Sequence, residues 1–362
     1  MKFKKSELSC LDWYVPFVTN KGEMTSKLQI VGSKEKNEVD LILNADVQIL
    51  FTTFNKEVTE DFHYVYPMQE IVSLIKGIRD EDSEIEFIDN SISFNKSKYE
   101  FSVFDFYKSN IDEFKNQFNS KDYDFTFRGI EHFNNMKDFL GSEEDGCNVI
   151  VAYDNYLFAT NKSPAFCFVN SENDSTDYNG FYFNGLVSKF LSSLKVDSIS
   201  IKNDEERYFF KIGNTVFVIS KGKSENKIPN FRDEKYKQFY DNPYVCSFDK
   251  NELKSALSRI KIVSSKNVNT RIFLSFKNNE LLIESKDDGY AIERINASYD
   301  SELEDHFIIL STDWFSVIVN KIAGDTVKMY CTNSKNPAEA KTVKLTGETD
   351  NTIYLHTLYK YI

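Results

Sequence analysis

One block of sequence, a helix followed by a strand, occurs three times along this 362-residue chain, once in each third. In the last third it reads Trp314/Phe315, Ile318/Val319 and Ile322, then Asp325, Thr326 and the alternating pair Val327 and Met329. In the middle third it reads Leu186/Val187, Phe190/Leu191 and Leu194, then Asp197, Ser198, Ile199 and Ile201. Every apolar pair stands at the same distance from the Asp-Ser/Thr step in these two copies. The first third repeats the block as Ile71/Val72, Ile75 and Ile78, then Asp82, Ser83, Ile85 and Phe87, slipped by one residue in its last turn. Apolar pairs every three to four residues form one face of a helix, and the alternation after them forms a half-buried strand. Copies roughly 120 residues apart are too long for a stacked solenoid and imply three versions of one domain.

Each third also carries an earlier helix. Phe3 is followed by Leu8, Leu11 and Val15; Phe127 by Phe133, Met136 and Leu140; Phe248 by Leu253, Leu257 and Ile260. The phenylalanine in each case ends a short alternating strand, so each third holds two strand–helix–strands units. In the last third alternation predicts strands over Arg271–Lys277, Glu280–Lys286, Tyr290–Tyr299, His306–Leu310, Thr326–Thr332 and Thr352–Leu358, with a tight hairpin turn at Asn278-Asn279. Asp249 can cap a helix from Lys250, with Glu252 at its third position. Pro67 suits a first helical position, and Ser311 can cap the helix containing Trp314. Polar stretches near 112–124 and 223–243 read as linkers and set the expected domains at 1–120, 121–243 and 244–362.

Composition excludes several classes. At 41% hydrophobic residues the chain can bury sizeable cores, yet it has no run long enough to span a membrane. No apolar segment follows the basic start Met1-Lys-Phe-Lys-Lys, so no secretory leader is expected. The cysteines (Cys10, Cys147, Cys167, Cys246, Cys331) are odd in number and never in CxxC spacing, which fits a reducing cytoplasm better than a disulfide scaffold or a zinc site. The four histidines (His63, His132, His306, His356) lack ligand spacing, and no phosphate-binding loop, nucleophile elbow or metalloprotease motif occurs. The acidic clusters at Asp80-Glu81-Asp82 and Glu143-Glu144-Asp145 suit solvated turns better than paired catalytic carboxylates. Neither a catalytic site nor a metal or cofactor is therefore expected. The net charge of −12 disfavours nucleic acid as a partner, but it is unevenly spread: −7, −4 and −1 over residues 1–120, 121–243 and 244–362.

The last third resembles domain III of the bacterial DNA polymerase III beta subunit, the DNA sliding clamp. The resemblance rests on the helix Asn251-Glu-Leu-Lys-Ser-Ala-Leu-Ser-Arg-Ile-Lys-Ile-Val-Ser-Ser-Lys266 and on the hairpin from Arg271 to Ser285. In the middle third Phe158-Ala159-Thr160-Asn161 is similar to the family's strand ending Ala-Thr-Asp, and Ile228-Pro229-Asn230-Phe231-Arg232 to its Phe-Pro-Asp-Tyr-Arg segment. The first third matches mainly by pattern. The resemblance implies an α+β fold of three tandem processivity-clamp domains, with helices lining a ring and antiparallel sheets outside. It implies a homodimer that closes a six-domain ring around double-stranded DNA, without sequence preference, and that holds a DNA polymerase, with a clamp loader as a further partner. Ring closure would also pair most exposed sheet edges.

On this reading three sets of residues carry function. Lys21, Lys76, Arg79, Lys137, Lys189, Lys250, Lys254, Lys261 and Lys266 are the candidate DNA contacts. Lys250, Lys254 and Lys261 fall within about 40° of one another on a helical projection. A solvated helix face would carry such residues too, but their concentration in 250–266 within an acidic chain favours phosphate contacts. Thr160, Pro229, Phe231, Leu358, Tyr359, Tyr361 and Ile362 match the family's cleft for short peptides, where apolar side chains anchor; a last strand packing on its sheet would explain some of them equally. Phe101, Ile262 and Val263 match its dimer seam, although a continuous core explains Ile262 as well. The chain departs from the family after Thr160, where Asn161-Lys162-Ser163-Pro164-Ala165 replaces an acidic residue, glycine and a basic-apolar pair. That departure points to a phage-encoded or divergent member with altered peptide specificity. The rivals are an enzyme, a structural β-rich viral or phage assembly protein that does not encircle DNA, and a monomeric or trimeric processivity factor.

Overall fold

The computed structural model describes residues 1–18, 26–45, 48–102, 110–119, 125–153, 156–161, 165–170, 181–221, 227–230, 233–234, 241–264, 270–286, 290–331, 342–348 and 352–357. The chain divides into two compact units, Met1–Glu131 with Lys189–Lys223, and His132–Ser188 with Ser224–Ile362. Every strand pairing among the described residues is antiparallel. Among the described residues seven α-helices accompany the strands: α1 (Leu11–Tyr14), α2 (Met68–Gly77), α3 (Asp112–Asn119), α4 (Glu131–Met136), α5 (Gly185–Ser193), α6 (Lys250–Ser264) and α7 (Thr312–Lys321).

The first unit holds two sheets. A four-stranded one runs in the order Lys2–Lys4, Glu84–Ile88, Ser91–Phe94, Ser97–Glu100. An eight-stranded one runs Phe62–Pro67, Lys27–Ser33, Glu38–Ala45, Gln48–Asn55, Thr215–Ser220, Arg207–Ile212, Ser198–Asn203, Phe125–Arg128. At its centre a strand of the first third pairs with one of the middle third, Phe51 opposite Val216 and Leu50 opposite Phe217. A chain of buried hydroxyls crosses that junction. The Tyr14 hydroxyl donates to the Leu41 carbonyl at 3.1 Å and shares a 2.8 Å hydrogen bond with Thr52 Oγ1, which lies 2.8 Å from Thr215 Oγ1. A cradle without a side chain at Gly32 lets the Phe62 ring lie on the neighbouring strand; a Cβ there would sit 2.1 Å from the ring.

The second unit holds a twelve-stranded sheet in the order Tyr182–Asn184, Val149–Tyr153, Tyr156–Thr160, Ala165–Asn170, Thr352–Thr357, Thr342–Thr346, Thr326–Cys331, Tyr244–Asp249, Ala291–Tyr299, Glu280–Ser285, Arg271–Lys277, Phe307–Ser311. Here the middle third meets the last third, with Phe168 opposite Ile353 and Cys167 opposite Tyr354. The strands of the middle third are thus shared between both large sheets.

The three repeated blocks form as the periodicity predicts: α2, α5 and α7 are each followed, within a few residues, by the strands at Glu84, Ser198 and Thr326. Asp249 accepts the Glu252 N–H at 2.8 Å and Ser311 accepts the Trp314 N–H at 3.4 Å, so both caps form. Asn278 and Asn279 both take positive φ (54° and 59°), as a type I′ hairpin turn requires. Pro67 caps α2 from outside, one position earlier than expected.

Two expectations need correction. The first helix of the first third winds largely as 3-10 turns, Lys5–Cys10 and Val15–Phe17 around α1, and that of the middle third ends in one, Lys137–Phe139 after α4. In the first third the buried set becomes Leu8, Leu11, Tyr14 and Phe17; in the middle third Phe133 and Met136 of α4 are buried as expected and the closing 3-10 turn adds Phe139. Val15, placed on the core face by a 3.6-residue period, is exposed, and Leu140 is only half-buried. The stretch 112–124, read as a polar linker, contains α3. Ile111 and Phe114 bury themselves against Val31, Ile42, Phe51, Phe209, Val216 and Val218. Lys115 ties α3 down through Glu38 at 3.0 Å and Asp40 at 2.7 Å. Its polar composition hid a helix that needs only one apolar turn to dock.

Candidate nucleic-acid interface

Helix α6 buries Leu253, Ala256, Leu257 and Ile260 along one stripe and leaves its cations on the other side. The expected exposed trio is only partly realised. Lys254 is exposed, but Lys250 curls back to donate to the Ile322 carbonyl, and Lys261 reaches Asp313 of α7 at 2.9 Å. Lys254, Leu257, Ser258 and Lys261 line a shallow groove against Ser316 and Asn320 of α7.

The other candidates sit on or beside helices, as expected. Lys76, Arg79, Lys137 and Lys189 are all exposed. Lys76 pairs with Asp12 of α1 at 3.1 Å. Lys321, at the end of α7, pairs with Asp138 at 2.7 Å and donates to the Asn134 carbonyl at 3.3 Å. Lys21 and Lys266 lie outside the described residues.

Part of the candidate cleft is assembled. Ile228 packs in one cluster with Cys147, Val149, Val151, Phe158 and Leu355, rimmed by the half-buried Tyr153, Tyr156, Tyr182 and Ile353. Tyr153 fixes the segment by donating its hydroxyl to the Ile228 carbonyl at 2.8 Å. Pro229 follows, half-buried, and Thr160 is buried at the end of its strand. The sheet thus brings Ile228-Pro229, the Thr160 strand and the Thr352–Thr357 strand to one region. Phe231, Leu358, Tyr359, Tyr361 and Ile362 lie outside the described residues.

Two of the strand edges left open among the described residues stand out. Ser97–Glu100 pairs only with Ser91–Phe94, and all four of its residues are exposed. Ala291–Asn296 pairs on one side with Glu280–Ser285, while the strand's other side gains a partner only from Ala297 onward. Beside this second edge lie large exposed apolar side chains: Ile262 (74% exposed), Val263 (43%), Tyr290 (66%) and Ile292 (39%). Arg259 clamps α6 onto that edge with two 2.7 Å bonds to Glu293. Those hydrogen bonds, ahead of the electrostatic attraction, lower the Glu293 pKa and raise that of Arg259. Phe101 is half-buried, edge-on to Tyr66 at 5.9 Å, just after the first open strand.

Neither a protein-family model nor a curated sequence matches the chain. Solved structures do. The DNA polymerase III beta subunit of Thermotoga maritima superposes with a TM-score of 0.78 at 13% identity, over 100% of this chain and 99% of that one. The Bartonella birtlesii sliding clamp bound to griselimycin gives 0.75 at 15% identity, and the Borrelia burgdorferi beta subunit in complex with a natural product gives 0.74 at 14%, each over the same shares. This chain has the sliding-clamp fold.

Within that fold, sequence reasoning missed the strand-edge residues Tyr99, Tyr290 and Ile292 and the tyrosine rim of Tyr153, Tyr156 and Tyr182. A usable signal existed for the first group. Tyr290-Ala291-Ile292 opens a predicted strand with large apolar residues on the face opposite Ile295 and Ala297, which are buried. Apolar residues on both faces of an antiparallel strand imply cover on both sides.

Proposed function

We propose that this chain is a DNA sliding clamp, a non-catalytic processivity factor. Two copies would close a ring around duplex DNA, slide along it and tether a DNA polymerase, with a clamp loader opening the ring. The observation that carries this reading is the clamp fold over the entire length of both chains. Three clamp domains at 1–120, 121–243 and 244–362 would make six in the dimer. The threefold repeat supports that division, and the shared sheets are what fusion of adjacent domain edges produces.

The dimer seam would join two of the open edges, Ser97–Glu100 of one copy and Ala291–Asn296 of the other, with Phe101, Ile262 and Val263 beside them. Edge pairing of this kind satisfies backbone groups that solvent alone now serves. Phosphate contacts would come from Lys21, Lys76, Arg79, Lys137, Lys189, Lys250, Lys254, Lys261 and Lys266, sparse enough for a ring that must move. The polymerase and loader would insert apolar side chains near Thr160, Pro229, Phe231, Leu358, Tyr359, Tyr361 and Ile362. No helix of the described residues is long and apolar enough to cross a membrane. Nothing observed favours the β-rich assembly-protein alternative.

Negative-stain electron microscopy tests the proposal. Class averages should show a ring with an open hole and a pseudo-sixfold outline. Particles without a hole, at a concentration where sedimentation shows dimers, would overturn it.

A further inference from the structure

We propose that Asp12, Asp138 and Asp313 are built-in competitors of the DNA phosphates, each holding a helix lysine against the protein and so setting how loosely the ring grips. This rests on the clamp reading, adds Lys321 to its phosphate contacts, and adds a regulator of those contacts. The same arrangement recurs three times: a lysine on one helix faces a carboxylate from a neighbouring helical segment. Lys76 of α2 meets Asp12 of α1 at 3.1 Å, Lys261 of α6 meets Asp313 of α7 at 2.9 Å, and Lys321 of α7 meets Asp138, just beyond α4, at 2.7 Å.

The carboxylates are about half exposed or more, at 60%, 59% and 48%. The Lys76 and Lys261 pairs, with lysines 57% and 39% exposed, are weak and screened by salt, so they do little to hold helices together; the Lys321 pair, its lysine 15% exposed, is the most enclosed of the three. Each pair does ensure that a lysine must leave one anion to meet another. A lysine with no carboxylate gains the whole of a phosphate contact and the release of a counterion. A paired one gains only the difference, and its own carboxylate then faces the duplex unpaired. Lys254, which makes no ion pair among the described residues, is the contrasting case on the same helix as Lys261. A ring built this way keeps cations near the duplex while flattening the energy differences between successive phosphates.

The test compares two triple variants of the full chain with equal charge. One is Asp12→Asn, Asp138→Asn, Asp313→Asn. The other is Glu35→Gln, Glu57→Gln, Glu144→Gln, at exposed carboxylates outside the helices that pair with nothing among the described residues. Binding to a short fluorescent duplex is measured against salt concentration, and ring formation is checked by electron microscopy on the same preparations. The logarithmic slope of the first variant should exceed that of the second by about 0.9 for each released lysine that reaches a phosphate. Between about 50 and 200 mM salt that is about 3.5-fold more loss of affinity per lysine. Equal slopes for the two variants, with rings present, would overturn the inference and leave the clamp reading standing. Absence of rings in the unaltered protein would overturn both. A role confined to helix packing would lower the melting temperature without separating the slopes, and that result also counts against the inference.

Discussion

Truncating Ile262 and Val263 together to alanine should dissolve the proposed dimer while leaving each protomer folded. Their exposure in the single chain sets the size of the effect. Ile262 is 74% and Val263 43% exposed, so most of the first side chain and under half of the second remain to be buried by a partner. Alanine removes three carbons from isoleucine and two from valine; at about 0.8 kcal/mol per buried methylene the losses are about 1.8 and 0.7 kcal/mol. A two-fold ring has two such seams, giving about 5 kcal/mol, or roughly 5,000-fold in Kd. Sedimentation velocity over a dilution series measures that change directly, and thermal unfolding of the protomer is its control. If the double variant dimerises as tightly as the parent, the seam does not lie at the end of α6. If the protomer itself loses stability by that amount, the two residues belong to its own core and the exposures mislead.

Three smaller tests address the rest of the structure. Tyr14→Phe removes a buried hydroxyl bonded to Leu41 and Thr52 and should cost about 1 kcal/mol in urea unfolding, whereas Val15→Ala should be near neutral; the opposite order would mean that Val15 rather than Tyr14 faces the core. Glu293 should titrate below its ordinary value of 4.5, because Arg259 hydrogen-bonds its charged form. Its contribution to stability is therefore present at neutral pH and lost only as pH falls through that lowered value; carboxyl NMR should show the midpoint return upward in Arg259→Gln, and an unmoved midpoint would refute the pairing. Burial pushes the Cys10 thiol up to about 11, leaving about a thousandth of it as thiolate at pH 8; iodoacetamide should label it only in denaturant, and rapid labelling of the native protein would show an open path to it.

The chemistry of spacing explains which parts of this fold were legible. The α2, α5 and α7 blocks could be read because Ile71, Phe190 and Ile318 each sit in a stripe long enough to separate a period of 3.6 from one of 2. The first helices of the first two thirds could be read only in part: Leu8, Leu11, Phe133 and Met136 are buried as expected, whereas Phe17 and Phe139 take the places expected of Val15 and Leu140 because both helices close on 3-10 turns. Helix α3 escaped because Ile111 and Phe114 are a short apolar signal among charges, and its lysine anchor on Glu38 and Asp40 is a tertiary event. At the candidate site, the residue types and helix positions of Lys76, Lys137, Lys189 and Lys254 were readable. The pairings of Lys76, Lys261 and Lys321 were not, because Asp12, Asp313 and Asp138 reach them across turns of chain whose packing no local pattern encodes.

The same limit explains how the fold persists at 13–15% identity to solved clamps. What this architecture demands of a sequence is mostly periodic: an amphipathic helix, alternating strands, and edges that pair onward. Phe51 opposite Val216 and Phe168 opposite Ile353 are the places where one third hands its sheet to the next. Any large apolar pair of suitable shape serves there, so such positions can drift without breaking the sheet. The demands that are not periodic are few and local: a turn with positive φ at Asn278-Asn279, a cap at Asp249, an absent side chain at Gly32. A fold held together by pattern leaves little for residue matching to detect, and the threefold repeat becomes the more durable signature.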